Sequence, residues 1–230
     1  MATVQNHLIG LLPRDDQLQF LSACEEVQLV LGDVLCVPGD ATPYVYFPVD
    51  GFISLVATTD GDAYLEVGMV GREGMVGAQV ALGVPTAPLR AVVQGAGASW
   101  RIGSEAFQLA LASIHTLRPV LDRYICALMA QLTTSAACLR FHEIGPRLAR
   151  WLLMSQDRAH SDSFRMTHEF LAYMLGVRRV GITAAAGVLQ QNGLIEYTRG
   201  DLTVLDRLGL EAAACSCYAA DRKGYADLLG

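Results

Sequence analysis

The spacing of apolar residues changes three times along this chain of 230 residues. In the first 28 residues the spacing is helical, but Pro13 interrupts it, so we predict two short helices there. From Leu29 to Gly103, Gly, Pro and Asp separate short runs that are rich in β-forming residues, at 29–37, 44–49, 52–57, 63–70 and 89–102. Such runs predict an antiparallel β-barrel, jelly roll or sandwich, with Asp60-Gly61-Asp62 as the clearest hairpin turn.

A long helical stretch is predicted from Ser104 to His142, because apolar residues recur there in steps of four and three. The recurring positions are Leu121, Ile125, Leu128, Leu132, Ser135, Leu139 and His142. A 4-3 pattern held over three heptads is typical of a helix that packs along a second helix. We therefore predict that two copies of the chain meet at a dimer seam formed by Leu121, Ile125, Leu128, Leu132 and Leu139. The alternative is that this face packs on the β-rich part of its own chain.

Between residues 145 and 193 the pattern predicts three helices separated by turns. Gly145-Pro146 suits the first turn of a helix. Thr167 is a good N-cap for the next helix, which ends at Gly176. The last helix is predicted over 178–191 and ends before Asn192-Gly193. Its inward face would carry Ile182, Ala185, Ala186 and Leu189.

The residues that follow predict a β-hairpin. Leu194–Tyr197 and Leu202–Leu205 alternate in polarity around the turn Thr198-Arg199-Gly200-Asp201. A helix, a glycine turn, a second helix and a two-stranded wing together form a winged helix-turn-helix pattern. We expect the tail beyond Asp206 to pack beside the wing.

The second helix of this motif points to DNA. With Ile182 and Leu189 inward, its outward positions are Arg179, Val180, Thr183, Ala184 and Gly187. Arg178 and Arg179 lie at the amino end, the end of a recognition helix that meets base edges in the major groove. Arg bonds guanine in a bidentate manner, and Thr contacts phosphate or base. Gly181 would permit a close approach to the DNA backbone.

Charge is distributed unevenly along the chain, whose net charge is −6. Residues 1–116 hold four basic groups against twelve acids, whereas residues 117–230 hold thirteen against eleven. Within 140–180, seven arginines face four acids. Overall acidity therefore does not exclude DNA as a partner, because a locally basic surface is what meets phosphate.

Composition excludes several other classes of protein. A hydrophobic content of 52% excludes general disorder, and the long uncharged run Tyr124–Leu139 is shorter than a bilayer span of about 20 residues. We expect a cytoplasmic protein with free buried thiols and no metal site. No Ser/His/Asp order, HExxH, P-loop or GxGxxG after a strand is present, so we predict that the chain is not an enzyme.

The order of parts resembles the bacterial CRP/FNR family of transcription regulators. The resemblance is carried by Leu175-Gly176-Val177-Arg178-Arg179 and Asn192-Gly193-Leu194-Ile195, and it extends over nearly the whole chain. It implies an α+β fold: a cyclic-nucleotide-binding-type β-roll (1–116), a dimerisation helix and hinge (117–144) and a winged helix-turn-helix domain (145–230). It also implies DNA contacts at Thr167, Arg178, Arg179, Gly181 and Thr183, and a homodimer on a pseudo-palindromic operator. Contact with RNA polymerase is left open.

The resemblance is weaker at the effector pocket. Family members bind the cyclic phosphate through Gly-Glu before a short helix and Arg-Ser/Thr on the following strand. Gly71-Arg72-Glu73-Gly74 resembles the first part, but Arg90 is displaced by about one position and no hydroxyl follows it. A slip of one residue turns a strand side chain to the opposite face. Thr133 and Thr134 lie near the family's purine contacts, and their alternative role is to cap backbone carbonyls in mid-helix.

Two hypotheses on regulation follow. The chain is either a homodimeric regulator gated by a small effector in the β-roll, or an effector-independent DNA binder that keeps only the β-roll shell. The cofactor is unknown. A cyclic nucleotide would have to bind through Gly71, Glu73, Gly74 and Arg90, which match the family's phosphate-binding motif only in part. An iron–sulfur cluster is not expected, because no amino-terminal group of cysteines is present.

Overall fold

The computed structural model describes residues 6–59, 63–198 and 200–230, which form two compact units. The amino-terminal unit comprises the chain up to Leu55, Met69–Met129 and Tyr225–Gly230. The carboxy-terminal unit comprises Val56–Gly68 and Ala130–Gly224. The predicted domain limits at 116 and 144 lie where the sequence pattern changes. The contacts between residues instead divide the chain between Met129 and Ala130, inside the helix Leu117–Phe141.

The chain begins with two short helices, α1 (His7–Gly10) and α2 (Arg14–Ser22), with Pro13 as the N-cap of α2. The predicted break at Pro13 is therefore confirmed. Asn6 caps α1, because its side-chain oxygen accepts hydrogen bonds from the N–H groups of Leu8 and Ile9. The amide nitrogen of the same buried side chain donates to two carbonyls of the β-rich part.

Seven strands and one short helix follow. They are β1 (Glu25–Leu29), β2 (Val34–Cys36), β3 (Tyr44–Pro48), β4 (Phe52–Thr59), β5 (Ala63–Val70), α3 (Ala78–Ala81), β6 (Arg90–Gly95) and β7 (Gly97–Gly103). One sheet has the order β1-β7-β3 and the other β2-β6-β4-β5, with antiparallel pairing of β1 and β3 to β7 and of β2 to β6. The β-rich prediction is confirmed, although the runs 29–37 and 89–102 each take part in two strands. The predicted hairpin turn Asp60-Gly61-Asp62 lies outside the described residues.

The predicted long helix is two helices, α4 (Ser104–Ser113) and α5 (Leu117–Phe141), because the backbone is extended at Ile114. Leu121 and Tyr124 of α5 are both 0% exposed. They belong to the core of the amino-terminal unit together with Phe47 and Phe107. The placement of Leu121 at the dimer seam is therefore wrong, because this side chain is fully buried in the core of its own chain. Helical periodicity identifies an apolar face but not the surface that covers it.

The carboxy-terminal unit contains most of the remaining elements. In chain order these are α6 (Ile144–Ala159), β8 (Ser163–Arg165), α7 (His168–Leu175), α8 (Arg179–Gln191), β9 (Ile195–Thr198), β10 (Asp201–Val204), α9 (Arg207–Ala213) and α10 (Cys217–Leu229). Helix α6 packs on α8 and α9, and α7 packs on α8. The strands form an antiparallel sheet of order β8-β10-β9, so a third strand joins the predicted wing.

The chain's last residues lie in the amino-terminal unit. Leu229 is buried in the same core as Leu8 and Ile9, and its carbonyl is 2.8 Å from His7 Nε2. The expectation that the whole tail packs beside the wing is therefore wrong for its final segment. The sequence of this final segment shows that it is apolar, but it does not show which part of the protein buries it.

In the described ranges, no single helix is long and apolar enough to cross a membrane. Helices α7 and α8 meet that requirement only when taken as a pair, and the pair is bent by 108°. Several of their apolar side chains, among them Leu171, Ile182 and Leu189, are buried within the carboxy-terminal unit.

Candidate nucleic-acid interface

Helix α7 is bounded by a side-chain cap at its start and by a glycine at its end, where the turn to α8 begins. The Thr167 hydroxyl accepts a hydrogen bond of 3.1 Å from the N–H of Phe170, so it caps α7. Gly176 ends that helix in the left-handed conformation, with φ of 61°. A Cβ there would also lie 2.7 Å from Leu65 Cδ1, so glycine is favoured on both grounds. The predicted motif has the predicted turn.

Helix α8 presents two different faces. Ile182, Ala186 and Leu189 are buried, as the spacing predicts. The outward positions form what we call the recognition surface: Arg178, Arg179, Val180, Thr183 and Ala184, all of them exposed. Val180 is 73% exposed, so an apolar side chain lies on this surface next to the two arginines. Arg178 is the N-cap, so the helix begins one residue later than predicted.

Gly181 has a packing role within the protein. A Cβ at this position would lie 2.7 Å from Ile144 Cδ1. The absent side chain therefore makes room for helix α6, which accounts for the glycine without an approach to DNA. By contrast, Gly187 has no atom within 4 Å of the place its Cβ would occupy.

Thr183 belongs to a small polar cluster that links α7, α8 and the wing. Its hydroxyl donates a 3.1 Å hydrogen bond to the Arg179 carbonyl and lies 3.0 Å from His168 Nδ1. The His168 ring stacks on Tyr197 with centroids 4.4 Å apart, and the Tyr197 hydroxyl donates to the Met166 carbonyl. The Thr183 hydroxyl is therefore already hydrogen-bonded to the Arg179 carbonyl and the His168 ring within the protein.

His168 and Tyr197 are residues that the sequence reasoning missed. Burial lowers the pKa of His168 from 6.5, and the nearby charge of Arg179 lowers it further. A neutral ring whose Nδ1–H donates to Thr183 satisfies both effects. The only signal in the sequence was a histidine next to the N-cap Thr167, which indicates nothing about a wing residue 29 positions later.

Three of the seven arginines between residues 140 and 180 are internal. Arg147 donates to the Leu175 carbonyl, Arg150 pairs with Asp221 at 2.6 Å, and Arg158 donates to the Met154 carbonyl. The basic surface is therefore smaller than the sequence count indicates. Its exposed members at the helix-turn-helix are Arg165, Arg178 and Arg179, and within the described ranges no acid forms an ion pair with them.

The loop Gly71–Gly74, which we call the cassette loop, makes its contacts with residues of its own chain. Glu73 Oε1 accepts a hydrogen bond of 3.1 Å from the N–H of Gly71. Tyr124 lies so close to Gly74 that a Cβ there would be 2.6 Å from the tyrosine Oη. That hydroxyl donates to the Met75 carbonyl at 2.9 Å. The loop is thus packed against α5.

The other predicted effector residues lie elsewhere. On β6, Ala91 and Val93 are buried, so the half-buried Arg90 points to the opposite face of the strand. Thr133 and Thr134 belong to the carboxy-terminal unit, where Thr133 is exposed. Burial raises the pKa of Asp221 in α10, and Arg150 and the Thr134 hydroxyl lower it. Thr134 thus contacts an acid of its own unit.

The predicted dimer seam is only partly accessible. Apart from the internal Leu121, its members are half-buried: Ile125, Leu128, Leu132 and Leu139. On the same helix, Met129 is 62% exposed and Ala136 is also exposed. The outward apolar stripe is therefore rotated relative to the predicted one.

Comparisons with known proteins agree on the fold. The chain is similar to a crystal structure described as a transcriptional regulator of the crp/fnr family from Eubacterium rectale, with a TM-score of 0.70 and 15% identity over 90% of this chain and 96% of that chain. It is similar to the c-di-GMP responsive global regulator CLP of Xanthomonas campestris, with a TM-score of 0.68 and 19% identity over 84% and 99%. The chain is also similar to the structure of FixK2 from Bradyrhizobium japonicum, with a TM-score of 0.68 and 14% identity over 84% of this chain and 98% of that chain.

The sequence comparisons address the DNA-binding part. No curated protein sequence matches this chain significantly. The family model of the Crp-like helix-turn-helix domain matches residues 146–213, which include α7, α8 and the three strands of the wing sheet. The fold predicted from the resemblance and the predicted helix-turn-helix are confirmed. Residues 146–213 therefore belong to the family of Crp-like helix-turn-helix domains, within a chain whose overall fold is that of the solved structures named above.

Proposed function

We propose that the chain binds duplex DNA as a homodimer, with α8 of each copy in the major groove. The observation that carries the proposal is the recognition surface. Arg178 and Arg179 lie together at the amino end of α8, exposed and without an acidic partner in the described ranges, while the opposite face of the helix is buried. A recognition helix uses that end to reach base edges, and two copies read half-sites about 34 Å apart.

The face of α5 supports the dimer. Ile125, Met129, Leu132, Ala136 and Leu139 follow one another in steps of four and three, and each keeps part or most of its surface exposed. No charged residue interrupts the helix between Arg123 and Arg140. We propose this register, rotated from the one predicted from sequence, as the seam between two copies.

We further propose that the cassette loop holds no cyclic nucleotide. Glu73 is already bonded to its own loop, Tyr124 fills the space beside Gly74, and Arg90 points away from the interior face of β6. These contacts favour the effector-independent alternative for this class of ligand. The description of the Xanthomonas relative adds c-di-GMP to the nucleotides that should be tested.

Selection of bound sequences from a random duplex library, with the full chain, tests DNA recognition. We expect a pseudo-palindrome, with half-site centres about 10 base pairs apart. Arg178→Ala or Arg179→Ala should weaken binding to the selected site by about 1–3 kcal/mol in fluorescence anisotropy. Arg222→Ala removes the same charge from an exposed position in α10 and is the matched control. Equal binding by all three variants and the wild type would refute the proposed recognition surface.

Sedimentation equilibrium tests the dimer. Met129→Glu places a charge at the centre of the proposed seam and should shift the protein toward monomer, with loss of cooperative binding to the palindrome. Leu208→Glu changes an exposed leucine of α9 in the same way and should leave the dimer intact. A wild-type protein that sediments as a monomer at all concentrations contradicts the proposal.

Isothermal titration calorimetry tests the cassette loop. Titrations with cyclic AMP, cyclic GMP and c-di-GMP should give no saturable heat. Saturable heat that disappears in Glu73→Gln would show that the cassette loop does bind a nucleotide. The effector-gated hypothesis would then replace the effector-independent one.

A further inference from the structure

Four side chains with metal-binding atoms converge in the carboxy-terminal unit, outside the recognition surface. They are Cys138, His142, Cys215 and Cys217, which we call the Cys-His cluster. Cys138 lies in the last turn of α5, and His142 follows one turn later, with its N–H still bonded to the Cys138 carbonyl. Cys215 lies in the loop after α9, and Cys217 begins α10. The cluster thus joins two segments that are far apart in sequence.

We propose that the Cys-His cluster is a binding site for a single zinc ion, held by three thiolates and one imidazole nitrogen. All four ligand atoms lie within 4.8 Å of one another. Two of the separations, Sγ of Cys138 to Sγ of Cys215 and Sγ of Cys217 to Nδ1 of His142, are 3.5 Å. Zinc bonds of about 2.3 Å to sulfur and about 2.0 Å to nitrogen give tetrahedron edges of about 3.5–3.8 Å. The atoms therefore already lie close to the corners that zinc requires.

The types of donor select the ion. Three sulfurs and a nitrogen suit zinc, whereas calcium and magnesium require oxygen ligands, and the cluster offers none. An iron–sulfur cluster would need thiolates spread around several metal and sulfide atoms, which is wider than this group of ligands. A Cys₃His set is one of the usual structural zinc sites.

A buried charge lies close to the cluster, since Arg147 and Cys138 line the same small cavity. Arg147 is only 8% exposed, and within the described ranges no acid forms an ion pair with it. A buried cation without a counter-charge is costly, so a negative partner is expected. Zinc with three thiolates and a neutral imidazole carries a net charge of −1, which Arg147 would balance.

The surroundings of the ligands also fit a structural metal. Cys138, Cys215 and Cys217 are buried together, and Arg150, which is fixed by Asp221, lies near enough to interact with the first two. The Cys215 N–H donates to the Pro146 carbonyl in the first turn of α6. Zinc would thus link the end of α5 to the loop between α9 and α10, and hold the junction where α5 passes into α6.

Metal content and cobalt spectroscopy of the full chain test the proposal. Protein purified under reducing conditions should contain one zinc per chain by mass spectrometry. After removal of zinc, addition of Co²⁺ should give intense visible bands of a tetrahedral site and thiolate-to-cobalt charge transfer. Cys138→Ser and Cys217→Ser should abolish both. Cys126→Ser, an exposed cysteine of the same helix outside the cluster, should leave them unchanged.

His142→Cys keeps the proposal falsifiable if a serine variant fails to fold. This variant should still bind one Co²⁺, with stronger thiolate charge transfer because a fourth sulfur replaces nitrogen. The proposal is overturned if the reduced wild-type chain binds neither zinc nor Co²⁺, or if Cys138→Ser retains the full cobalt spectrum. A stable Cys138–Cys215 disulfide that, once reduced, still takes up no metal would also overturn it. DNA binding by Arg178→Ala is separate from these readouts, so either proposal can fail alone.

Discussion

Substitution of Gly74 by alanine should destabilise the amino-terminal unit, because Tyr124 occupies the space that the new methyl group needs. The added Cβ would lie 2.6 Å from the tyrosine Oη, whereas ordinary contacts begin at 3.4 Å. The ring must therefore move by about 0.8 Å in a core packed as densely as an organic crystal. Overpacking of this kind costs about 1–3 kcal/mol, and weakening the 2.9 Å bond from Tyr124 to Met75 adds about 1 kcal/mol.

Urea unfolding followed by circular dichroism measures this cost, and a double-mutant cycle assigns it. Gly74→Ala should lower the free energy of unfolding by about 2–4 kcal/mol in the wild type and by less than about 1 kcal/mol in a Tyr124→Leu background. Gly10→Ala is the control, because no atom lies within 4 Å of its Cβ position. An equal cost of Gly74→Ala in both backgrounds would refute the packing argument, and with it one reason to exclude a nucleotide from the cassette loop.

Two further predictions concern the helix-turn-helix. Gly187→Ala should stabilise the protein by up to about 1 kcal/mol through helix propensity, while Gly181→Ala should lose that gain to the contact with Ile144 and regain it in an Ile144→Val background; thermal unfolding of the set measures this. The pKa of His168 lies below 6.5 in the folded chain, so the unfolded chain binds the proton more tightly and stability falls as the pH decreases through about 6.5. His168→Gln should therefore show a smaller loss of stability between about pH 7.5 and about pH 5.5 than the wild type, and parallel pH profiles would contradict the assignment.

The sequence was most informative where a single residue type imposes local geometry. Pro13 lies between the first two helices as the N-cap of α2, and Gly176 takes the positive φ that the turn between α7 and α8 needs. These constraints act within a few residues, so they can be read without knowledge of the fold. The buried face of α8 was predictable for the same reason, since Ile182 and Leu189 follow the helical period.

Contacts between distant segments were not predictable in this way. The 4-3 pattern of α5 did not show that Leu121 faces its own β-roll, and the arginine count did not show that Arg147 and Arg150 are internal. Cys215 and Cys217 are separated by one residue, which is not a familiar zinc spacing. Their relation to Cys138 exists only because the fold brings the end of α5 against the loop before α10.

The amino-terminal unit is built from three separate segments of the chain, which affects how this protein can be divided into fragments. Its core needs the first helices, the β-roll with the start of α5, and the side chain of Leu229 near the far end of the polypeptide. A fragment that starts at residue 145 would retain Leu229 without the apolar neighbours that bury it, and would lack two members of the Cys-His cluster. Its counterpart would expose a hydrophobic hollow beside Leu8 and Ile9. No single cleavage of the backbone therefore yields two self-sufficient pieces, and the role of the amino-terminal unit should be separated from DNA recognition by point substitutions.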